Sequence, residues 1–392
     1  FTNTASIMAY GYNPYIAKWS PYHGAAYAVV DACAKVVAAG ARYDNMRFSY
    51  QEYFERMTDA KSWGKPLAAL LGALKMQVEL GLPSIGGKDS MSGTFRDINV
   101  APMLMAFGIT TVDARNVISP EFKEGGHNIY VVRHTPTENY MPATDQLKDN
   151  FDFVADKILS GDIVAGYAVG FGGVAEAVAK MSFGNKIGAV LECDEQMLYN
   201  LSYGSIVVES RRTLNHPSAE LIGKTVAEEA IFVNGTRLPL EELLEANTEK
   251  YTSVYADRGK KGEPTRVSDG KGLVKCYEGA PVDKVKVYIP VFPGTNCDYD
   301  TARAFERAGA EVDITVFKNL TGDDVLESIK EMKEHIAECH IMMLSGGFSA
   351  GDEPDGSGKF IANVLNNKDV ADAIHALLDR GGLMLGICNG FQ

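Results

Sequence analysis

Leu383-Met-Leu-Gly386-Ile-Cys388-Asn-Gly390-Phe-Gln392 sets a cysteine between two glycines directly after an apolar strand, which is the pattern of a nucleophile elbow. Glycines two positions to either side let the backbone turn sharply from strand into helix, lifting the sulfur above the sheet and against a helix N-terminus that favours thiolate. Cys388 is therefore the candidate nucleophile. A buried, inert cysteine at the end of a core strand is the alternative that the motif alone leaves open.

A second apolar strand upstream, Ile341-Met-Met-Leu344, runs through Ser345 into the glycine-rich loop Gly346-Gly347-Phe348-Ser349-Ala-Gly351-Asp352-Glu353. An acyl-transfer cysteine needs backbone N–H donors aimed at the developing oxyanion, and glycine gives the backbone freedom to present them. Gly347 and Phe348 are the candidate donors. A third strand, Val285 to Phe292, leads into Pro293-Gly294-Thr295-Asn296-Cys297-Asp298, where Asp298 is expected to cap a helix over Tyr299 to Ala308. Cys297 lacks flanking elbow glycines and reads as a loop residue.

Three segments together, FPGTNCDYD at 292–300, GGFSAGDEPDGSGKF at 346–360 and GICNGFQ at 386–392, resemble the class I glutamine amidotransferase domain of the phosphoribosylformylglycinamidine synthase family. The resemblance implies that the elbow cysteine attacks the side-chain amide of glutamine, forms a glutamyl thioester and releases ammonia, with a histidine and a glutamate completing a triad. The family's histidine lies well downstream of its cysteine, whereas His335, His340 and His375 all precede Cys388. His375 lies in Ala371-Asp-Ala-Ile-His-Ala-Leu-Leu-Asp-Arg380, whose amphipathic pattern predicts a helix-surface position. With Phe1 in place of an initiator methionine and four residues after Cys388, the sequence is expected to be an internal segment of a longer protein. Without its histidine such an elbow does not cycle, so the segment is expected to be inactive alone.

The composition is that of a globular chain of several domains: 392 residues, 46% hydrophobic and 23% charged, enough for two or three packed cores. A net charge of −13 argues against nucleic-acid binding, which rests on clustered Lys and Arg. Cysteines at 33, 193, 276, 297, 339 and 388 form no CxxC pair and no metal-ligand spacing, so neither zinc nor disulfides are implied. No apolar run reaches the eighteen or so residues needed to span a bilayer, and no signal-peptide pattern opens the chain. A cytoplasmic protein that binds neither membrane nor nucleic acid is the expectation.

The fold class expected is mixed α/β and α+β. Residues 1–118 hold an alanine-rich helix near 24–40, an amphipathic region near 48–80, the loop Gly86-Gly87-Lys88-Asp89-Ser90-Met91-Ser92-Gly93, and a strand from Val100 to Val112. Residues 119–250 alternate strands and helices, with strands at Asn128–Arg133, Ile163–Val169, Ile187–Leu191 and Ser205–Glu209 and a helix after Gly173. The polar stretch Asn247 to Asp283 reads as a connector, assigned to 251–284, with its basic run at 258–264 as solvated linker. The amidotransferase domain follows at 285–392.

The loop at 86–93 offers flexible glycines, a lysine, an aspartate and two hydroxyls, an inventory suited to phosphate or ribose but equally that of a polar turn. GGKDSMSG is similar to the GKDSMS segment in the synthetase half of the same family, whose ATP-dependent region contains two copies of an aminoimidazole-ribonucleotide-synthetase-like two-domain module. The resemblance implies that residues 1–250 are most of the second copy, followed by a doubly wound glutaminase. Gly86, Gly87, Lys88, Asp89, Ser90 and Ser92 are then candidate substrate or phosphate ligands. The implied partners are formylglycinamide ribonucleotide, glutamine and ATP with magnesium, together with a first synthetase copy and the rest of the glutaminase domain. The implied reaction has ATP activate the formamide oxygen and ammonia displace phosphate to give the amidine.

Three departures from the family bear on the second copy. Where relatives carry Glu-x-x-x-Asn for magnesium, this chain has Asp31-Ala-Cys-Ala-Lys35, a pair that also reads as an intrahelical i,i+4 ion pair. Where relatives carry Asp-Arg-Ser-Asp-Gly-Gly, it has Ala168-Val-Gly170-Phe-Gly172-Gly173. The acidic pair of Phe-Asn-Glu-Glu-Leu-Gly becomes Leu201-Ser202. This module is therefore expected to hold no magnesium-nucleotide and no metal. Two other readings are carried: a catalytically silent scaffold segment of the same enzyme, and a dinucleotide-binding oxidoreductase, because Gly170-Phe-Gly172-Gly173 follows a strand, opens a helix and has Glu192 some twenty residues on.

Overall fold

The structure, a computed structural model, describes residues 2–255, 282–348 and 358–392. The chain divides into two compact units, Phe1–Lys261 and Gly262–Gln392. The basic run at 258–264, Cys276 and residues 349–357 of the glycine-rich loop lie outside the described residues.

In the first unit, β1 (Thr4–Gly11), α1 (Pro14–Trp19), α2 (Pro21–Ala38), β2 (Arg47–Tyr53), α3 (Ala60–Leu80), β3 (Ser84–Lys88), the short hairpin β4 (Thr94–Phe95) and β5 (Ile98–Asn99), and β6 (Met103–Asp113) come first. The strands β1, β6, β2 and β3 form one sheet in that order, antiparallel except where β2 meets β3. The amphipathic region expected near 48–80 is thus two elements. Its first residues, an aromatic run whose Phe48 and Glu52 are buried, form strand β2, and the helix begins only after Asp59, which closes a capping box with Ser62.

The unit continues with β7 (Asn128–Val132), α4 (Thr144–Leu159), β8 (Ile163–Ala168), α5 (Gly173–Phe183), β9 (Gly188–Leu191), α6 (Glu195–Tyr199), β10 (Ile206–Ser210), β11 (Ala219–Val226), β12 (Ala230–Val233), β13 (Thr236–Pro239) and α7 (Leu240–Val254). Its sheet runs β13-β12-β9-β11-β7-β10-β8, with β9–β12 its one parallel pairing. Residues 247–254, read as the start of a connector, are the last turns of α7.

Helix α2 organises this unit. Ser20 caps it, Pro21 opens it, and Gly24 to Cys33 are buried on every side. An alanine- and valine-rich helix has no polar face to offer water, so it lies inside. It packs on β1 and β6 of the first sheet and on β8 and β10 of the second. Val29, Val30, Val36 and Val37 share one core with Phe48, Leu104, Ile206 and Val208, each fully buried side chain contributing about 1.5–3 kcal/mol of apolar burial. A second core lies between the seven-stranded sheet and α5, with Val131, Val169, Val178 and Met181 at its centre.

The second unit comprises β14 (Lys286–Val291), α8 (Asp298–Arg307), β15 (Glu311–Val316), α9 (Gly322–Glu338), β16 (Ile341–Leu344), α10 (Lys359–Leu365), α11 (Lys368–Asp379) and β17 (Leu383–Gly386). The sheet order is β15-β14-β16-β17, parallel throughout. Val287, Ile289 and Met343 pack with Ala302 of α8, whereas Tyr288, Met342 and Leu344 pack with α9, α10 and α11. Helices therefore cover both faces, and the loops after β14, β16 and β17 gather at one carboxyl edge, where open α/β sheets bind ligands. Among the described residues no helix is long and apolar enough to cross a membrane.

Candidate functional site

Cys388 follows β17 with φ +55, the left-handed region that a residue with a side chain occupies only at a cost and that clusters at active sites. The three residues Cys388–Gly390 make a single 3-10 turn, so the expected helix is here one tight turn, and the cysteine is exposed. The flanking glycines have a steric reason. A Cβ on Gly386 would lie 2.4 Å from the Gly390 oxygen, and one on Gly390 would lie 2.2 Å from the Leu344 oxygen. The elbow is thus folded back onto the end of β16, and the Ile387 N–H donates to the same Leu344 carbonyl at 3.1 Å.

The loop after β16 stands over the cysteine: a Cβ placed on Gly346 would be 3.4 Å from Cys388 Cβ. An isolated antiparallel bridge between Thr295 and Gly347 ties this loop to the turn after β14. Asn296 N–H donates to the Gly346 carbonyl and Phe348 N–H donates to the Gly294 carbonyl, both at 2.8 Å. Phe348 is therefore corrected as an oxyanion donor in this conformation, because its N–H already has an acceptor. Gly347 stays in place with φ +135 and no room for a Cβ, which would meet the Gly294 oxygen at 2.3 Å. Its N–H has no acceptor among the described residues. The role of Gly294, Thr295 and Asn296 in pinning this loop was not read from the sequence; the Pro-Gly turn directly after a strand was its one available signal.

Cys297, with φ +63, is the left-handed residue before α8 and is exposed, in keeping with a loop role. It occupies the cap position itself, so Asp298 is corrected from cap to first helical residue, where its charge and that of Asp300 face the positive helix end. The three histidines of this unit are occupied elsewhere. His335 stacks on Tyr288 and its Nδ1 lies 2.5 Å from the Asp313 carboxylate. His340 precedes β16, at the sheet edge opposite the elbow, and accepts the Lys286 N–H. His375 is exposed on α11.

In the first unit the segment 86–93 is only partly a loop. Gly86, Gly87 and Lys88 belong to edge strand β3, paired with Ser49, Tyr50 and Gln51 of β2, and Gly87 is needed because a Cβ would meet the Tyr50 oxygen at 2.2 Å. The remainder is laced to the end of β2: Ser90 N–H donates to the Glu52 carbonyl and Phe54 N–H to the Ser90 carbonyl. Ser90 and Ser92 hydroxyls share a 2.8 Å bond. Beside them Glu52 is buried, and its Oε1 has no partner among the described residues. Burial and then Asp89 push its carboxyl up to about 7.

Because the folded pKa of Glu52 exceeds the unfolded value, the folded state holds the proton more tightly. Stability therefore falls as pH rises from about 4.5 to about 7 and then levels off. Glu52→Gln is expected to match the parent at pH 4 and to exceed it by about 1–2 kcal/mol at pH 8. Urea denaturation at the two pH values measures this; an equal difference at both would contradict it.

Of the residues expected to mark a lost nucleotide site, Asp31, Lys35, Ala168, Gly170 and Phe171 line a cleft of about 620 Å³, and Tyr10, Tyr12, Glu176 and Tyr203 share its wall; Leu201 and Ser202 do not line it. Lys35 Nζ lies 2.7 Å from Asp31 Oδ2 and donates to the Tyr10 carbonyl, over whose ring it also sits. Asp31 Oδ1 is buried with no partner among the described residues, and burial raises its carboxyl to about 6 in spite of Lys35. Glu176 accepts from Lys180 and from the Gly172 N–H. One oxygen of each carboxylate thus lies on a lysine ammonium, which a divalent ion bound there would have to displace, while Asp31 Oδ1 stays without a partner among the described residues. No group of three or more metal-ligating side chains occurs among the described residues.

The dinucleotide alternative fails at the same place. The Gly172 N–H that would face a pyrophosphate is taken by the Glu176 carboxylate. Strand β8 is an edge strand paired antiparallel with β10, so no parallel βαβ crossover opens at this turn.

Residues 284–392 match the family described as the CobB/CobQ-like glutamine amidotransferase domain. Phosphoribosylformylglycinamidine synthase subunit PurQ of Dehalococcoides mccartyi is 39% identical over 111 residues, 28% of this chain and 39% of that protein. PurQ of Methanococcus maripaludis is 40% identical over 107 residues, 27% of this chain and 36% of that protein. The chain thus spans less than half the length of these curated relatives. Among solved structures, Thermotoga maritima PurL complexed with AMPPCP is similar at a TM-score of 0.50 and 15% identity, over 62% of this chain and 44% of that one. PurLQS from Thermotoga maritima gives 0.50 and 16%, over 78% and 50%. The chain is thus similar in fold to PurL, and its residues 284–392 match a glutamine amidotransferase family.

Proposed function

We propose that this chain is part of an ATP- and glutamine-dependent carbon–nitrogen ligase that converts formylglycinamide ribonucleotide to formylglycinamidine ribonucleotide in purine biosynthesis. The observation that carries the reading is Cys388, held at φ +55 on the carboxyl edge of a parallel sheet beneath the Gly346–Gly347 loop. There its Sγ attacks the amide carbon of glutamine, the carbonyl oxygen takes up the negative charge, and the Gly347 N–H is assigned as the donor that meets it. Collapse of the tetrahedral adduct breaks the C–N bond, releases ammonia and leaves a glutamyl thioester that water hydrolyses. His335 and His340 are engaged elsewhere and His375 is exposed on α11, so none of the three is assigned as the base.

The first unit acts as the second of two related synthetase modules. Lys88, Asp89, Ser90 and Ser92 are its substrate-side candidates, with Gly86 and Gly87 shaping the strand that presents them. ATP with magnesium is bound by the other copy, since lysines neutralise both carboxylates of the cleft described here. A place in the reducing cytoplasm is part of the same reading.

The test is an assay of the full protein with formylglycinamide ribonucleotide, ATP and either glutamine or ammonium, followed by nucleotide analysis of the same sample. Amidine formation from both nitrogen sources is expected, with one glutamate released per amidine when glutamine is the source and none when it is ammonium. No amidine from either source would overturn the assignment, and ADP with magnesium traced to the cleft at Asp31 would overturn the silent second module.

A further inference from the structure

Glu52 is an acid in the interior that the chemistry above does not use. Its side chain is 7% exposed at the end of β2, and its Oε1 has no partner among the described residues. Leaving a buried carboxyl oxygen unpaired is costly, so a group of this kind that persists has a reason to be there.

The segment after β3 is built onto this residue. Ser90 N–H donates to the Glu52 carbonyl at 3.1 Å, Phe54 N–H to the Ser90 carbonyl at 2.9 Å, and Gly93 N–H to the Phe54 carbonyl at 2.8 Å. Side chains alternate along paired strands. Lys88 stands opposite Gln51 and so on the face away from Glu52, whereas Asp89 is the charged group that acts on the Glu52 carboxyl. The remaining charges around β2 are paired or exposed. On β6, Leu104 lies opposite Glu52 and Asp113 is paired with Arg115. On α3, Lys65 pairs with Glu55 and Lys75 with Glu79; on α2, Lys35 pairs with Asp31 and His23 bonds to Ser20. Arg56 and Lys61 are exposed.

We propose that Glu52 is a positioning residue of the substrate side, taking up one proton from solvent when the phosphate of formylglycinamide ribonucleotide binds at Lys88, Ser90 and Ser92. The proposal rests on the reading of that segment as the ligand loop. Neutral Glu52 lets the segment seat on the end of β2 beside ionised Asp89; ionised Glu52 repels Asp89 and the incoming phosphate together. A phosphate held by Ser90 adds nearly two negative charges within about 10 Å of Glu52. At an effective dielectric of about 20 this raises its proton affinity on the order of tenfold. Burial and Asp89 already bring the carboxyl to about 7, so the change falls near neutral pH. Below that range Glu52 is protonated with or without ligand, and affinity is highest. As pH rises it ionises first in the free protein, and affinity falls until it is ionised in the complex as well.

Titration calorimetry of the full protein with formylglycinamide ribonucleotide, in buffers of differing ionisation enthalpy, tests this. Uptake of about half a proton per ligand is expected near pH 7.5, and Kd should rise about tenfold between about pH 6.5 and about pH 9. Glu52→Gln should bind without uptake and with a Kd that stays flat over that range, a difference that a merely structural role would not produce. Lys88→Met should weaken binding at every pH. Binding that Lys88→Met leaves unchanged would overturn the ligand loop itself. Binding weakened by Lys88→Met but without proton uptake in the parent, or with uptake that persists in Glu52→Gln, would overturn the role of Glu52 alone. If Glu52→Gln fails to fold, the uptake measured on the parent decides.

Discussion

Replacing Cys388 by alanine in the full protein is expected to lower glutamine-dependent turnover by a factor on the order of 10⁴ or more, while turnover with ammonium stays near the parental value. The asymmetry follows from the division of labour. Cys388 supplies the only bond made to glutamine in the proposed chemistry, and ammonia, once free, no longer needs the elbow. Alanine keeps the Cβ on which the cost of φ +55 rests and leaves Gly386 and Gly390 in place. The melting midpoint is therefore expected to hold. Steady-state assays with each nitrogen source measure the effect. An equal loss with both sources would mean that Cys388 acts in folding or in the synthetase reaction.

The second large effect is expected at Gly390. A methyl group there falls 2.2 Å from the carbonyl oxygen of Leu344 and 2.6 Å from its carbon. Leu344 is the buried end of β16 in the centre of the sheet, so neither side can yield by a rotamer change. Gly390→Ala should destabilise the second unit by about 2–3 kcal/mol and should slow modification of Cys388 more than tenfold, since the turn that presents the sulfur must open. Gly322→Ala is the matched control: its Cβ meets nothing within 4 Å at the first residue of α9, and it should be neutral. Thermal denaturation and the rate of thiol modification follow the two consequences separately. An unchanged rate in Gly390→Ala would show that the close approach to Leu344 does not shape the elbow.

The elbow was legible because its requirements are local. A nucleophile on a left-handed turn between strands and tight neighbours needs glycine at fixed offsets, and Gly386 and Gly390 announce that in the chain itself. Helix α2 was legible for a similar reason, since its alanine and valine run has one stable environment. What escaped was settled by partners distant in sequence. Phe348 looks like a donor from its place after two glycines, yet Gly294, more than fifty residues earlier, takes its N–H. Arg47–Tyr53 carries an amphipathic pattern that fits helix or strand, and pairing with β6 decides for strand. Gly86 and Gly87 suggest a flexible loop, whereas a positive φ at Gly86 and close approach to β2 at Gly87 are what disfavour a side chain. The glycine-rich turn at 170–173 matches a dinucleotide fingerprint in composition, and only the antiparallel pairing of β8 shows that the sheet around it is of another kind.

The central claim is that Cys388 is the residue that attacks glutamine. It is tested most directly by incubating the full protein with a glutamine-analogue chloroketone and locating the adduct by peptide mass spectrometry. The account predicts one equivalent of label on Cys388, protection by glutamine, and none on Cys297, although both thiols are exposed. Label on Cys297, or equal label on both that glutamine does not prevent, would contradict it.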